Sequence, residues 1–203
     1  MKTTALIVFV TLVVSGCSLL GAPDVPTTRY FVLTSDRTLD GEFATENTLS
    51  LGLGPFTFPS YLDRPQMVTR TDPNQVVYSQ FNRWAEPIAS GFPRVLSENI
   101  GRVTNTSEIA TFPWYKVPLE YQVKGEVLRF EANDDGEVVL ECIWTVVRLG
   151  EKDRYLVIRH ADLHHPVDSD NPDEVAQALS RLTSDLAREI GQTLLAEHAV
   201  QNR

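Results

Sequence analysis

The sequence predicts an α+β two-layer sandwich: a mostly antiparallel sheet with two helices on one face, preceded by an export signal and a flexible tether. Two observations lead there. The elements run as strands, a helix, three long strands and a final helix. Both helices carry a continuous apolar stripe at helical spacing, and such a stripe must be buried against a sheet.

The elements follow in order. Ser18 to Thr28 is small, polar and proline-bearing, with Pro23 and Pro26 opposing regular structure. It reads as a tether of about 11 residues, reaching at most roughly 36–40 Å when extended. Arg29 to Thr34 is the first strand, and Asp36 to Asn47 is a polar loop. Leu49 to Phe58 is the second strand. Leu49, Leu51 and Leu53 share one face, while Gly52 and Gly54 on the other leave room for a close neighbour. Pro55 and Pro59 are expected to stop it. Met67 to Thr71 and Gln75 to Phe81 form a hairpin across Thr71-Asp72-Pro73-Asn74, where proline presets the turn dihedral.

The first helix is expected from Ala85 to Thr104, with Ile88, Phe92, Val95, Leu96, Ile100 and Val103 as its stripe. Pro93 should kink it or delay its regular start. After a short strand at Ile109 to Phe112 come Leu119 to Ala132, Glu137 to Leu149 and Arg154 to His164, joined by Gly- and Asp-rich turns into an antiparallel meander. The middle strand is apolar on both sides and should be the most buried. The last helix opens with Asn171 as N-cap, Pro172 in the first position and Glu174 reaching back as in a capping box. Its stripe is Val175, Leu179, Leu182, Leu186, Ile190 and Leu194.

The N-terminus carries one positive charge, Lys2, then the apolar run Ala5 to Val14, then Ser15-Gly16-Cys17. That run is far shorter than the roughly 20 residues of a membrane span. An apolar residue, two small residues and a cysteine resemble the bacterial lipobox. The resemblance implies a lipoprotein signal peptide over residues 1–16, removal of which leaves Cys17 with an S-diacylglycerol and an N-acyl group. Residues 17–28 are then the lipidated tether and 29–203 a single periplasmic domain. Three acyl chains make the attachment effectively permanent.

Hydrophobic residues are 42% and charged residues 22%, ordinary for a globular chain, and the net charge is −9. An acidic chain argues against nucleic acid as a partner and against electrostatic adhesion to anionic lipid. The lipid must hold it to the membrane. With Cys17 acylated, Cys142 has no partner for an internal disulfide and reads as a small buried residue.

The chemistry-bearing motifs are sparse. His160, Asp162 and His164 alternate on one predicted strand, which could hold zinc or simply form a solvated face. No metalloprotease, nucleophile-elbow or phosphate-loop pattern occurs, and the protein reads as no enzyme, with no cofactor beyond the lipid on Cys17. The distinctive stretches are Tyr61-Leu62-Asp63-Arg64-Pro65-Gln66 and Arg83-Trp84-Ala85-Glu86-Pro87. Apolar, aromatic, Arg and Pro groups on loops are typical of a contact surface. Tyr61, Leu62, Asp63, Arg64, Pro65, Arg83, Trp84 and Glu86 are therefore the candidate partner-binding residues. The competing reading packs Tyr61 and Trp84 at the end of the sheet, with Arg64 or Arg83 paired to Asp63 or Glu86.

Taken in order, the lipobox, Tyr30-Phe31-Val32-Leu33 and these two blocks resemble the ABC-type transport auxiliary lipoprotein family, in its PqiC branch, over essentially the whole chain. Gly91-Phe92-Pro93 departs from it, since a smoother helix is expected in relatives. The resemblance implies a non-catalytic docking subunit of an MCE-type intermembrane lipid transport system that supports envelope integrity. Its partners would be an MCE-domain protein similar to PqiB and, indirectly, an inner-membrane protein similar to PqiA. It implies a place on the periplasmic face of the outer membrane, held by the lipid anchor, and a homo-oligomeric ring that matches a symmetric partner tube. Ser18 fits that sorting, because Asp is the usual inner-membrane retention signal at this position. An assembly or plug lipoprotein for outer-membrane machinery is the alternative, and a metal-dependent periplasmic enzyme using His160, Asp162 and His164 a further one.

Overall fold

Alternating and helical apolar patterns set the elements of this computed structural model, which describes residues 26–40, 49–150 and 152–201. In chain order they are β1 (Arg29–Phe31), β2 (Leu51–Thr57), β3 (Gln66–Asp72), β4 (Gln75–Trp84), α1 (Ile88–Thr104), β5 (Ile109–Thr111), β6 (Tyr121–Asn133), β7 (Glu137–Arg148), β8 (Arg154–Pro166) and α2 (Pro172–Gln201). Val14 to Cys17, Ser18 and the tether up to residue 25 lie outside the described residues.

The meander is the spine. β6 pairs antiparallel with β7, and β7 with β8, along nearly their full lengths. Along the other edge of β6 two parallel partners follow one another. Its N-terminal half takes β2, which pairs in turn with β5, and its C-terminal end takes the tip of β3. The β3–β4 hairpin turns at Pro73-Asn74, and β1 lies parallel to β4 on the outer edge. The long ladders are antiparallel, as the sequence predicts. The short parallel pairings are non-local and have no signature in the strand pattern.

Both helices cover one face. The predicted stripes of α1 and α2 are buried throughout, and α2 packs on α1 and on β7 and β8. Phe92 of α1 sits among Phe56, Phe58 and Phe130, with ring centroids 5.7, 5.4 and 5.4 Å away in edge-to-face geometry. Asn99, fully buried, joins three segments. Its Oδ1 accepts from the Asp36 N–H at 2.9 Å, and its Nδ2 donates to Ser184 Oγ at 3.1 Å. A buried amide is tolerated because it is paired on both sides.

Several boundaries differ from expectation. β1 ends at Phe31, and β2 continues through Pro55 with a register shift between Leu53 and Phe56. Pro55 lacks only a donor, and a bulge absorbs the missing bond. α1 begins at Ile88 and runs through Pro93, which sits near enough to the N-terminus to forfeit little of the hydrogen-bond ladder. At α2, Asn171 caps the Asp173 N–H at 3.2 Å. Glu174 bonds the Asn171 amide at 3.0 Å and reaches back to the Asp168 N–H at 3.2 Å, three residues beyond the expected capping-box partner.

Gly52 has the close neighbour that the sequence predicts. A Cβ there would lie 2.7 Å from the Trp114 ring and 2.9 Å from Leu119 Cδ1. This contact holds the 112–119 loop against the face of the sheet that the helices leave open. Gly52→Val should therefore lower stability by about 1–3 kcal/mol through overpacking. The check is the midpoint of urea unfolding, with an unchanged slope.

Candidate functional site

The three motif segments meet at one corner of the sheet. The Trp84 N–H donates to Pro65 O at 2.6 Å, and the Ala85 N–H donates to Phe31 O at 2.8 Å. Gln66 faces Arg83 in the β3–β4 register, and Tyr30 faces Arg83 in the β1–β4 register. Residues far apart in sequence thus share a single edge.

Alternation then sorts the candidate residues. Phe31 and Trp84 are register partners, and both point under the helices into the core, Trp84 being 8% exposed. Leu62, at the end of a 3-10 turn, is buried as well. Their side chains are packing groups and not contact groups, which corrects the expectation that the whole of both blocks forms a contact surface. Glu86 pairs with Arg94 at 2.6 Å on the first turns of α1, so neither Arg64 nor Arg83 holds it. Asp63, Arg64 and Pro65 are exposed and Arg83 is half-buried. The Arg64 guanidinium stacks 5.1 Å above the Tyr78 ring. Among the described residues neither Arg64 nor Arg83 has a carboxylate partner.

Tyr61 leads inward to a buried carboxylate that sequence reasoning missed. Glu131 is 1% exposed. It accepts from Arg70 Nε at 2.8 Å, Arg129 Nε at 3.0 Å, the Tyr61 hydroxyl at 2.8 Å and the Phe130 N–H at 2.9 Å. Arg70 also lies 5.5 Å over the Tyr61 ring. Two cations and two further donors satisfy the carboxylate, which is what a buried charge requires. A Glu flanked by Phe130 and Ala132, with Arg129 two residues earlier, was the available signal. Desolvation, and then the Glu131 charge, push the Tyr61 phenol up to about 12.

The other titratable groups are engaged with one another. His160 Nε2 lies 3.0 Å from Glu141, and His164 bridges Glu137 at 3.1 Å and Asp162 at 3.0 Å. Desolvation pulls the His164 pKa down, but the two carboxylates outweigh it and hold it above its ordinary value. Among the described residues no group of three or more His, Cys, Asp or Glu is arranged to hold a metal ion. Cys142 is fully buried, and burial pushes its thiol up to about 12, far from a reactive thiolate at neutral pH.

Two outcomes follow from this geometry. Trp84→Ala should cost about 3–5 kcal/mol of stability, read by urea unfolding, because it empties a core position. The Tyr61 phenol has a folded pKa near 12 against an ordinary value of about 10. Its contribution to stability is complete below pH 10 and is lost as the pH rises toward 12. Tyr61→Phe should flatten that part of the alkaline unfolding curve, leaving the share of Cys142.

A family model described as the ABC-type transport auxiliary lipoprotein component matches residues 31–191. Two crystal structures share the fold. One, a protein from Xanthomonas campestris, is 16% identical with a TM-score of 0.74, the alignment covering 87% of this chain and 100% of that one. The other, an uncharacterized protein, is 19% identical with a TM-score of 0.67, covering 83% of this chain and 99% of that one. No curated protein matches the chain in sequence. The match runs from Phe31, at the end of β1, to Gly191 in α2, and so includes β2 to β8, α1 and both motif blocks. The chain belongs to the ABC-type transport auxiliary lipoprotein family.

Proposed function

We propose that this protein is a lipid-anchored, non-catalytic docking subunit of an MCE-type intermembrane lipid transport system. Its signal, residues 1–16, is removed, and Cys17 receives the S-diacylglycerol and N-acyl groups. Ser18 directs it to the periplasmic face of the outer membrane, and residues 17–28 tether the domain there. The partner is an MCE-domain protein similar to PqiB, which links it indirectly to a protein similar to PqiA. A symmetric tube is best met by a ring of copies of this chain.

The observation that supports a docking role is the convergence of the motif blocks on one edge, with Arg64 exposed, Arg83 half-buried, and neither facing a carboxylate among the described residues. An unpaired surface guanidinium beside aromatic rings is a frequent anchor in protein interfaces. Asp63, Arg64, Pro65 and Arg83 are the contact residues on this reading. Tyr61, Leu62, Trp84 and Glu86 hold them in place from behind.

Two experiments test it. Cys17→Ala should abolish recovery with outer-membrane vesicles on fractionation; unchanged recovery would mean that protein contacts do the tethering. Arg64→Glu should weaken capture of the MCE partner from detergent-solubilised envelopes severalfold while moving stability by no more than about 0.5 kcal/mol. Equal capture by both forms would remove the corner from the interface.

A further inference from the structure

The exposed apolar side chains of this domain are not scattered. Phe31 and Trp84 point under the helices, so Tyr30, next to Phe31, points to the opposite, open face of the sheet. Cys142 and Trp144 are buried inward, so Ile143 points outward, and on β8 Ile158 (opposite Thr145) and Tyr155 (opposite Val147) share that face. The 112–117 loop lies over the same open face, with the Trp114 ring against Gly52 and with Phe112 and Tyr115 exposed. Tyr115 is 80% exposed, Ile158 67% and Tyr30 65%. Among the described residues the exposed large hydrophobic side chains are concentrated on this face and this loop; Val200 lies on α2, and Val77, in line with Thr69 and Ala132, lies on the helix side.

The register makes the patch continuous. Gly52, beneath Trp114, pairs with Gln122, Gln122 with Val147, and Val147 with Tyr155. One row therefore runs from the loop to the far strand. In the next row stand Lys124, Thr145 and Ile158. Lys124 Nζ lies 4.9 Å over the Tyr155 ring and donates to its hydroxyl at 3.1 Å.

The lysines of the domain lie in or near this face. Residues 17–203 contain three lysines in a chain of net charge −9: Lys116 in the loop, Lys124 on the open face and Lys152, flanked in sequence by Glu151 and Asp153, in the β7–β8 turn. The carboxylates Glu137, Glu141 and Asp162 on this face are engaged by His164 and His160, leaving Glu126 as its exposed acid without such a partner. Aromatic rings with lysines among them are the composition of a surface that sits at the headgroup level of a bilayer.

We infer that the open sheet face lies on the phospholipid surface to which Cys17 is attached, with α1 and α2 turned away from it. The inference rests on the reading of Cys17 as acylated. The described chain starts at Pro26, just before β1 on the edge of this face. Residues 17–28 span at most about 40 Å, so the face is held near the headgroups at an effective concentration in the millimolar range. At that concentration a weak interfacial affinity, set by a few exposed rings and aliphatic side chains, is enough to orient the domain.

The test uses the full acylated chain reconstituted into vesicles of phosphatidylethanolamine and phosphatidylglycerol with brominated acyl chains. Recovery of the chain with the vesicles reports the Cys17 anchor; Trp114 emission, isolated by comparison with Trp114→Phe, reports the face. The expected result is bromine quenching of Trp114, reduced severalfold in a Tyr115→Ser, Tyr155→Ser, Ile158→Ser variant of unchanged melting temperature. Vesicle-bound protein with no quenching, or with equal quenching in the variant, overturns the inference while leaving the anchor intact. Cross-linked dimers that the same variant abolishes, in the absence of quenching, also overturn it and assign the face to a second copy. Failure to stay with the vesicles refutes the anchor, and with it the basis of the inference.

Discussion

One buried carboxylate joins the two parts of the sheet. The β3–β4 hairpin with β1 meets the main sheet at only two register pairs, Thr69 with Ala132 and Arg70 with Asn133. Two pairs at a strand tip would be a weak attachment. Glu131 lies beside that junction and binds Arg70 from the hairpin, Tyr61 from the turn that precedes it, and Arg129 from its own strand. Replacing such a fully paired carboxylate by an apolar group of the same volume could be neutral, but removing one partner leaves a buried charge uncompensated. The position of the hairpin, and of the motif corner it carries, therefore depends on this network.

The helices impose a second constraint. With α1 and α2 both on one side, the core is closed there by two apolar stripes and by the cluster around Phe92. The other face of the sheet has only the 112–119 loop across part of it. A two-layer sandwich always has such an open face, and polar alternation usually keeps it soluble. Here β6 follows that rule at Gln122, Lys124 and Glu126, while β7 and β8 break it at Ile143, Tyr155 and Ile158.

Local pattern carried much of this fold. The meander, both helical stripes and the Gly52 contact were legible because each depends on spacing within a few residues. The insertion of β2 between β6 and β5, and the pairing of β1 with β4, were not, because partner choice between distant strands leaves no trace in either strand alone. The burial of Glu131 was hidden by the bulge between Val127 and Arg129. Before it the odd-numbered residues Tyr121, Val123 and Val127 face the core, and after it the even-numbered Phe130 and Ala132 do. Trp84 was misjudged for a related reason. Its block has no strand pattern of its own in sequence, but β4 extends through it, and pairing with Phe31 turns the indole inward while leaving Arg83 on the other side.

The same alternation explains why a motif can be distinctive and yet mostly interior. In Arg83-Trp84-Ala85-Glu86 one strand end must do three things at once. It fills the core with an indole, bonds Phe31 and Pro65 through its backbone, and starts a helix whose first turns Glu86 steadies through Arg94. Each requirement restricts residue type on packing grounds alone. What packing does not require is an arginine without a carboxylate at position 83 and another at position 64, beside the exposed ring of Tyr30. Arg64 stacks on Tyr78, which a neutral polar side chain would not do, but neither arginine faces a carboxylate among the described residues. These two arginines are the part of the corner on which the proposed docking role rests.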